Sequence, residues 1–286
     1  MVTITQAAKG GVLQPALKTT MISEGDLWCT LRMVVLAASG KGKTHMLATA
    51  SRHYAEPWPT TLTVLDDIYI VSADLGGMLG LREKHFDAPI LDISEWSDDE
   101  VFSRLADIPR HVAAEVEARK TRLVGIDTID SLLAAVLNVL SRSYDGAGLY
   151  NGFAAHANTF LRGMARVRCP VVYTCHVGAP KVVLRGVKAD NSEYMEQAEV
   201  AAGTTGKLCM DLGGRKAASV LRNAATLTGH LKVLSLPGDK TERILDFEDE
   251  VVESKRRLVE CVGKRGPANL AEIFTRIAAG MNVAGL

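Results

Sequence analysis

The stretch Leu31-Arg-Met-Val-Val-Leu-Ala-Ala-Ser-Gly-Lys-Gly-Lys-Thr-His-Met-Leu47 decides the fold. Its first part, Leu31 to Leu36, is almost wholly apolar, as a parallel strand covered on both faces must be. Its last part opens an amphipathic helix that carries Met46, Leu47, Ala50 and Tyr54 on one face. Between them, Ala37-Ala38-Ser39-Gly40-Lys41-Gly42-Lys43-Thr44 fits G-x-x-x-x-G-K-[ST], with Ala37 in place of the first glycine. Consecutive backbone N–H groups at such a turn can surround the charged oxygens of a polyphosphate. Gly40 and Gly42 let the backbone approach them closely. The Lys43 ammonium is expected between the terminal phosphates, and the Thr44 hydroxyl is expected to complete the coordination of a Mg²⁺ that otherwise keeps several waters. Ser39, Gly40, Lys41, Gly42, Lys43, Thr44 and His45 are therefore the expected nucleotide contacts, with ATP and Mg²⁺ as ligands. If position 37 requires a left-handed backbone, the Cβ of Ala37 adds a modest strain.

Outward from this stretch, strands and helices alternate. The pattern predicts a strand near 31–37, a helix near 43–55, a strand near 63–73, a short strand over Pro89–Ile93 and a helix near 97–119. A strand over Arg122–Ile126, a helix near 129–141, a Gly-rich break over Ser141–Gly152, a helix near 153–167 and a strand over Pro170–Thr174 follow. Such alternation implies a mostly parallel sheet with helices on both faces. Lys207–Leu212, Ala217–Asn223 and Thr228–Leu234 read as late strands with connections short enough for antiparallel hairpins. Residues 1–26 read as an N-terminal arm, 27–237 as the α/β core, and 238–286 as a small helical C-terminal appendage with helices over 249–262 and 270–279.

Two strands are expected to deliver carboxylates beside the phosphate loop, because ligands of such sheets bind outside the carboxyl ends of the strands. Asp127 ends the apolar run Arg122-Leu-Val-Gly-Ile126 and is expected to hold Mg²⁺ with Thr44. Asp130 reads as a first-turn helix carboxylate favoured by the helix dipole. Asp74 ends Ile68-Tyr-Ile-Val-Ser-Ala73 and reads either as the carboxylate that orients the attacking water or as a turn residue before Leu75-Gly76-Gly77. His176, after Val171-Val-Tyr-Thr-Cys175, is placed to report the state of the γ-phosphate, or serves structure alone.

Composition sets the outer bounds. The chain has 286 residues, 47% of them hydrophobic and 23% charged, enough for one large core and unlike a disordered or collagenous sequence. No apolar run reaches the roughly 18 to 20 residues needed to cross a bilayer, and Met1-Val-Thr-Ile-Thr-Gln-Ala-Ala-Lys9 lacks the apolar stretch of a secretion signal. The expected place is the cytoplasm, that of the host cell if a phage encodes the chain, with no membrane partner. The five cysteines form no C-x-x-C pair, which argues against a zinc site or a disulfide framework. Basic and acidic residues balance at 33 each, so any affinity for nucleic acid must come from local patches.

Taken together, the residues resemble the phage-type RecA-like nucleotide-binding family, the group that includes the single-strand annealing proteins called Sak-four. The likeness runs from about Leu31 to Phe274 and rests on an ordered set: Leu31–Thr44, Ile-Val-Ser-Ala-Asp-Leu-Gly-Gly at 70–77, Ile-Leu-Asp-Ile-Ser-Glu-Trp-Ser-Asp at 90–98, Leu-Val-Gly-Ile-Asp-Thr-Ile-Asp-Ser-Leu at 123–132, Val-Val-Tyr-Thr-Cys-His at 171–176, and Gly206-Lys207-Leu208. The resemblance implies a RecA-like P-loop NTPase core and an ATPase in which Lys43, Asp74 and His176 act on the nucleotide and Thr44 and Asp127 hold the metal. It implies rings or filaments with the nucleotide between copies, where Lys207, Arg215 or Lys216 would reach a neighbour's γ-phosphate. Two positions depart from the family: Ala37 for the first glycine, and Asp74 where a glutamate is usual, a shorter side chain that points to slow hydrolysis.

By the same resemblance, the loops after the Asp127 helix and after the His176 strand would face nucleic acid. The first holds Arg142, Tyr144 and Tyr150, and the second, Val177–Asp190, holds Lys181, Arg185 and Lys188. Cations that follow phosphates, beside rings that stack on unpaired bases, suit single-stranded DNA. Glu193, Glu196 and Glu199 oppose that charge. The expected function is an ATP-dependent protein of recombination that binds single-stranded DNA and supports annealing or strand exchange, with copies of itself and a single-strand-binding protein as partners. The competing expectations are a motor or assembly ATPase that acts on a protein, and a nucleotide-regulated binding module that hydrolyses little.

Overall fold

Arg32–Ala37 is buried at all six positions and forms β1, the strand around which the molecule is built. The computed structural model describes residues 28–51, 68–83, 86, 88–187, 193–199, 207–210, 215–238, 240–247 and 256–281. The remaining strands are β2 (Ile68–Ser72), β3 (Ile90–Asp92), β4 (Leu123–Asp127), β5 (Val171–Val187), β6 (Glu193–Glu199), β7 (Lys207–Met210), β8 (Leu227–Leu236), β9 (Lys240–Asp246) and β10 (Arg265–Pro267). The helices are α1 (Lys43–Ala48), α2 (Leu75–Glu83), α3 (Asp98–Arg104), α4 (Ile108–Arg119), α5 (Ile129–Ser141), α6 (Gly146–Met164), α7 (Arg215–Ala224), α8 (Arg256–Val262) and α9 (Leu270–Gly280).

Eight strands form one sheet in the order β10-β9-β8-β1-β5-β4-β2-β3, and β6 and β7 branch from the far half of β5. The six strands from β8 to β3 are parallel. β8, β9 and β10 are joined by antiparallel pairings. Period-two alternation splits the parallel strands between two apolar layers. Val34, Leu36, Val71, Val124, Ile126 and Tyr173 face one layer, with Leu133, Val136, Phe153 and Phe160 of α5 and α6. Met33, Val35, Ile68, Ile70 and Val172 face the other, with Leu47 of α1 and Ile273, Phe274 and Ile277 of α9. The expected architecture, a mostly parallel sheet with helices on both faces and late antiparallel strands, is the one observed. Because β5 lies between β1 and β4, the residues after Thr174 fall between the phosphate loop and Asp127.

Several local expectations change. The helix read over 97–119 is two helices. α3 starts at a capping box in which Ser97 Oγ accepts the Glu100 N–H and the Glu100 carboxylate accepts the Ser97 N–H, and α4 restarts with Pro109 in its first turn. Ala217–Asn223, read as a strand, lies within the helix α7. The Gly-rich break over Ser141–Gly152 shrinks to Arg142–Asp145, because α6 begins at Gly146. Tertiary burial of Phe153, Ala157, Phe160, Leu161 and Met164 along α6 offsets the weak helix propensity of its glycines. The segment after His176 is not a loop as far as Val187. β5 continues through it and pairs with β6 and β7, with an irregularity in register between Gly178 and Lys181. The sheet also runs past residue 238, since β9 and β10 belong to it. The arm over 1–26 and the stretch 52–67, which includes the start of the strand read over 63–73, lie outside the described residues.

Candidate nucleotide site

The phosphate loop follows β1 directly. Gly40 and Gly42 have φ of 70° and 93°, in the left-handed region where a Cβ is penalised, so the motif's glycines stand where the backbone requires them. Ala37 is the last residue of β1, and Lys120 is the one non-glycine residue of positive φ among the described residues, so the feared strain at 37 does not arise. Ala38, Ser39, Gly40 and Lys41 are exposed, which leaves the loop open to solvent. Gly42 caps α1, the Met46 N–H donates to the Gly42 carbonyl at 2.9 Å, and the first N–H groups of α1 have no partner within the helix. His45 sits in that first turn, half-buried.

Lys43 is buried and folds back over its own loop, its Nζ 3.5 Å from the Ala38 carbonyl oxygen. Burial pushes its pKa below the ordinary lysine value, and the nearby carboxylates of Asp130, Asp127 and Asp74 push the other way. The next residue, Thr44, donates from Oγ1 to Asp127 Oδ2 at 2.5 Å. Asp127 is wholly buried at the end of β4, and Thr174 Oγ1 on β5 donates to its Oδ1, also at 2.5 Å. Burial raises the Asp127 pKa above the usual carboxylate range, while the Thr174 and Thr44 hydroxyls and Lys43 oppose the rise. A hydroxyl and a carboxylate in contact supply hard oxygens of the kind Mg²⁺ takes, and Mg²⁺ commonly uses one or two carboxylates with phosphate and water in its remaining positions. The pair fits the expected metal. Among the described residues no cluster of three or more His, Cys, Asp or Glu side chains forms an all-protein metal cage.

Asp74 and His176 complete the circle. Asp74 Oδ1 accepts the Gly76 N–H at 3.0 Å, the turn geometry expected of an Asp before two glycines, and the same carboxylate lies close enough to affect both Lys43 and Asp127. His176 stands beside Ala37 in the β1–β5 register. Its Nδ1 meets Asp130 Oδ2 at 2.5 Å, and its backbone N–H donates to Asp130 Oδ1 at 3.0 Å. Asp130 thus holds His176 at two points, the ring Nδ1 and the backbone N–H, a role beyond the first-turn helix carboxylate read from sequence. Spacing could not reveal it, since Asp130 and His176 lie on different elements, 46 residues apart. Thr174 was hidden for the same reason.

The residues expected to meet nucleic acid are less uniform. Arg142 caps α5 and forms an ion pair with Asp99 at 2.8 Å. Tyr144 and Tyr150 are 57% and 47% exposed. The carbonyls of Met164, Ala165 and Val167 meet Arg32 at the start of β1, and the 19 residues of α6 span about 28 Å, so the first turn of α6 stands toward the carboxyl edge. Lys181 and Arg185 lie on β5, in register with Glu199 and Met195 of β6. Glu193 and Glu196 stand in register with Val187 and Leu184. Lys188 lies outside the described residues. Lys207 starts β7, and Arg215 and Lys216 start α7.

No family model matches the chain, and a search of curated proteins finds no match. Among solved structures, the crystal structure of a KaiC-like protein from the hyperthermophilic archaeon Pyrococcus horikoshii OT3 is similar over 77% of this chain and 79% of that one, at 10% identity and a TM-score of 0.39. The site is defined by its own geometry and not by that likeness. No helix among the described residues is long and apolar enough to cross a membrane.

Proposed function

We propose that the chain binds ATP with Mg²⁺ in the Ser39–Thr44 loop and hydrolyses it. The observation that carries this reading is the contact of Thr44 Oγ1 with Asp127 Oδ2 at 2.5 Å, within the electrostatic reach of the Lys43 ammonium. Two segments 83 residues apart meet at the one place where a phosphate-bound cation would need both. The loop amides and Lys43 bind the phosphate chain, and the Asp127 carboxylate, oriented by Thr174, and the Thr44 hydroxyl hold the metal. Bound Mg²⁺ would neutralise charge that develops on the transferring phosphoryl group. Asp74 orients the attacking water and accepts its proton, while its second role in the turn to Gly76 keeps the carboxylate in place. His176, clamped by Asp130, donates toward the γ-phosphate.

The finer part of the reading is that hydrolysis serves a protein of recombination that binds single-stranded DNA. It is supported by the exposed Tyr144 and Tyr150 and by the continuity of β5, which runs from His176 at the nucleotide site into the hairpin that carries Lys181 and Arg185. The pairing of Arg142 with Asp99 and the placement of Lys181 opposite Glu199 favour the competing reading, an ATPase that acts on a protein partner. Phosphate release measured with and without an unstructured oligonucleotide separates them. The DNA reading expects release to depend on Lys43 and to rise with oligonucleotide, in a salt-sensitive way. Release that vanishes in Lys43→Ala yet ignores the oligonucleotide at low salt leaves the protein-directed ATPase. Release that survives Lys43→Ala overturns the site itself.

A further inference from the structure

The hairpin β8–β9 stands beside the phosphate loop. β8 pairs with β1 up to His230 opposite Leu36, then runs on to Leu236, so its far half rises past the carboxyl edge of the sheet. β9 returns along it with Arg243 opposite Val233, three residues and about 10 Å beyond the level of Leu36. There the Arg243 side chain leans over the loop. A Cβ built on Gly42 would lie 3.3 Å from Arg243 Nε and 3.7 Å from its Cδ. Glycine at 42 therefore does two things: it takes the left-handed φ, and it leaves room for this stem.

Two neighbouring cations are already paired, Lys232 and Arg265 both with Asp246. Arg243 is exposed, its backbone carbonyl accepts the Ala268 N–H at 3.2 Å, and its guanidinium has no hydrogen bond or ion pair among the described residues. An arginine held against a phosphate loop with its donors unspent has the planar fork that phosphate oxygens accept. We propose that Arg243 is a nucleotide-binding residue supplied by the same chain, its guanidinium covering the phosphate chain of a nucleoside triphosphate held in the loop. This rests on the reading of Ser39–Thr44 as a nucleotide site, and it adds a contact that the loop motif does not contain. It also gives β9 a task at the site, so the last hairpin of the sheet belongs to the binding machinery.

The test compares wild type, Arg243→Ala, Arg243→Lys and Lys43→Ala by calorimetric titration with ATP and, separately, with inorganic tripolyphosphate. The proposal expects Arg243→Ala to weaken both ligands roughly ten- to hundredfold, with partial recovery in Arg243→Lys and an unchanged melting temperature of the free protein. Loss for ATP with tripolyphosphate unaffected would show that the guanidinium meets the base or sugar, and would overturn the phosphate assignment. Unchanged affinity for both ligands in Arg243→Ala, with loss of both in Lys43→Ala, would overturn the role of Arg243 alone. Unchanged affinity in Lys43→Ala would instead remove the nucleotide site on which the proposal stands.

Discussion

At the scale of single residues, the site is a balance of buried charge. Lys43 is out of water among three carboxylates, and burial is the larger effect on its pKa. On the proposed function its ammonium binds phosphate, so nucleotide affinity is complete below the Lys43 pKa of the free protein and declines as pH rises through it. Because that value is lowered, the alkaline decline is expected at lower pH than for an exposed lysine, and a titration of ATP affinity from neutral to alkaline pH checks it; a decline confined to the ordinary lysine range would refute the burial argument. What sequence could reveal at this scale was set by contiguity. Lys43, Thr44 and Asp127 follow from a loop motif and an apolar run. Asp130, Thr174 and Arg243 enter the site only through strand register and the lean of a hairpin, which no local pattern encodes.

At the scale of elements, α2 closes on the Thr44–Asp127 pair that the proposed function gives to the metal. A Cβ added at Gly77 would lie 2.5 Å from Thr44 Oγ1 and 2.9 Å from Asp127 Oδ2, so the helix backbone closes directly on the pair. Gly77→Ala is expected to remove the gain in ATP affinity that Mg²⁺ gives while sparing Mg-free binding and the fold, read by titration with and without the metal. An unchanged Mg²⁺ dependence would mean that α2 moves aside freely. Element boundaries were legible where periodicity was strong, as in α5, observed at Ile129–Ser141 against a reading of 129–141. They were not legible where two forces compete. Ala217–Asn223 alternates enough to read as a strand, yet it forms an amphipathic helix that buries Leu221. In β5 the glycine and proline at 178 and 180 signal a loop, and pairing with β6 and β7 overrides them.

At the scale of the whole molecule, one buried side chain ties the sheet to the helix layer. Arg32, 4% exposed, donates from its two terminal nitrogens to the carbonyls of Cys29, Leu31, Cys169, Met164, Ala165 and Val167. Among the described residues no carboxylate partners it there, and burial lowers its pKa. A planar fork can reach carbonyls from the start of β1, the end of α6 and the start of β5 at once, whereas an ammonium has three donors at a single point. Arg32→Lys is expected to cost about 2–4 kcal/mol in urea denaturation while leaving nucleotide affinity near wild type in the folded protein. A cost below about 0.5 kcal/mol, the range of a neutral surface change, would contradict this role.

On the proposed function, the phosphate loop and the end of β4 form a single site for a metal-bound nucleoside triphosphate. Titration of ATP with and without Mg²⁺ into wild type and Asp127→Asn tests it most directly. The predicted result is a wild-type affinity that rises with Mg²⁺, and an Asp127→Asn protein that keeps its Mg-free affinity but loses that rise. An equal rise in both proteins would contradict it, because the metal would then be held without the β4 carboxylate.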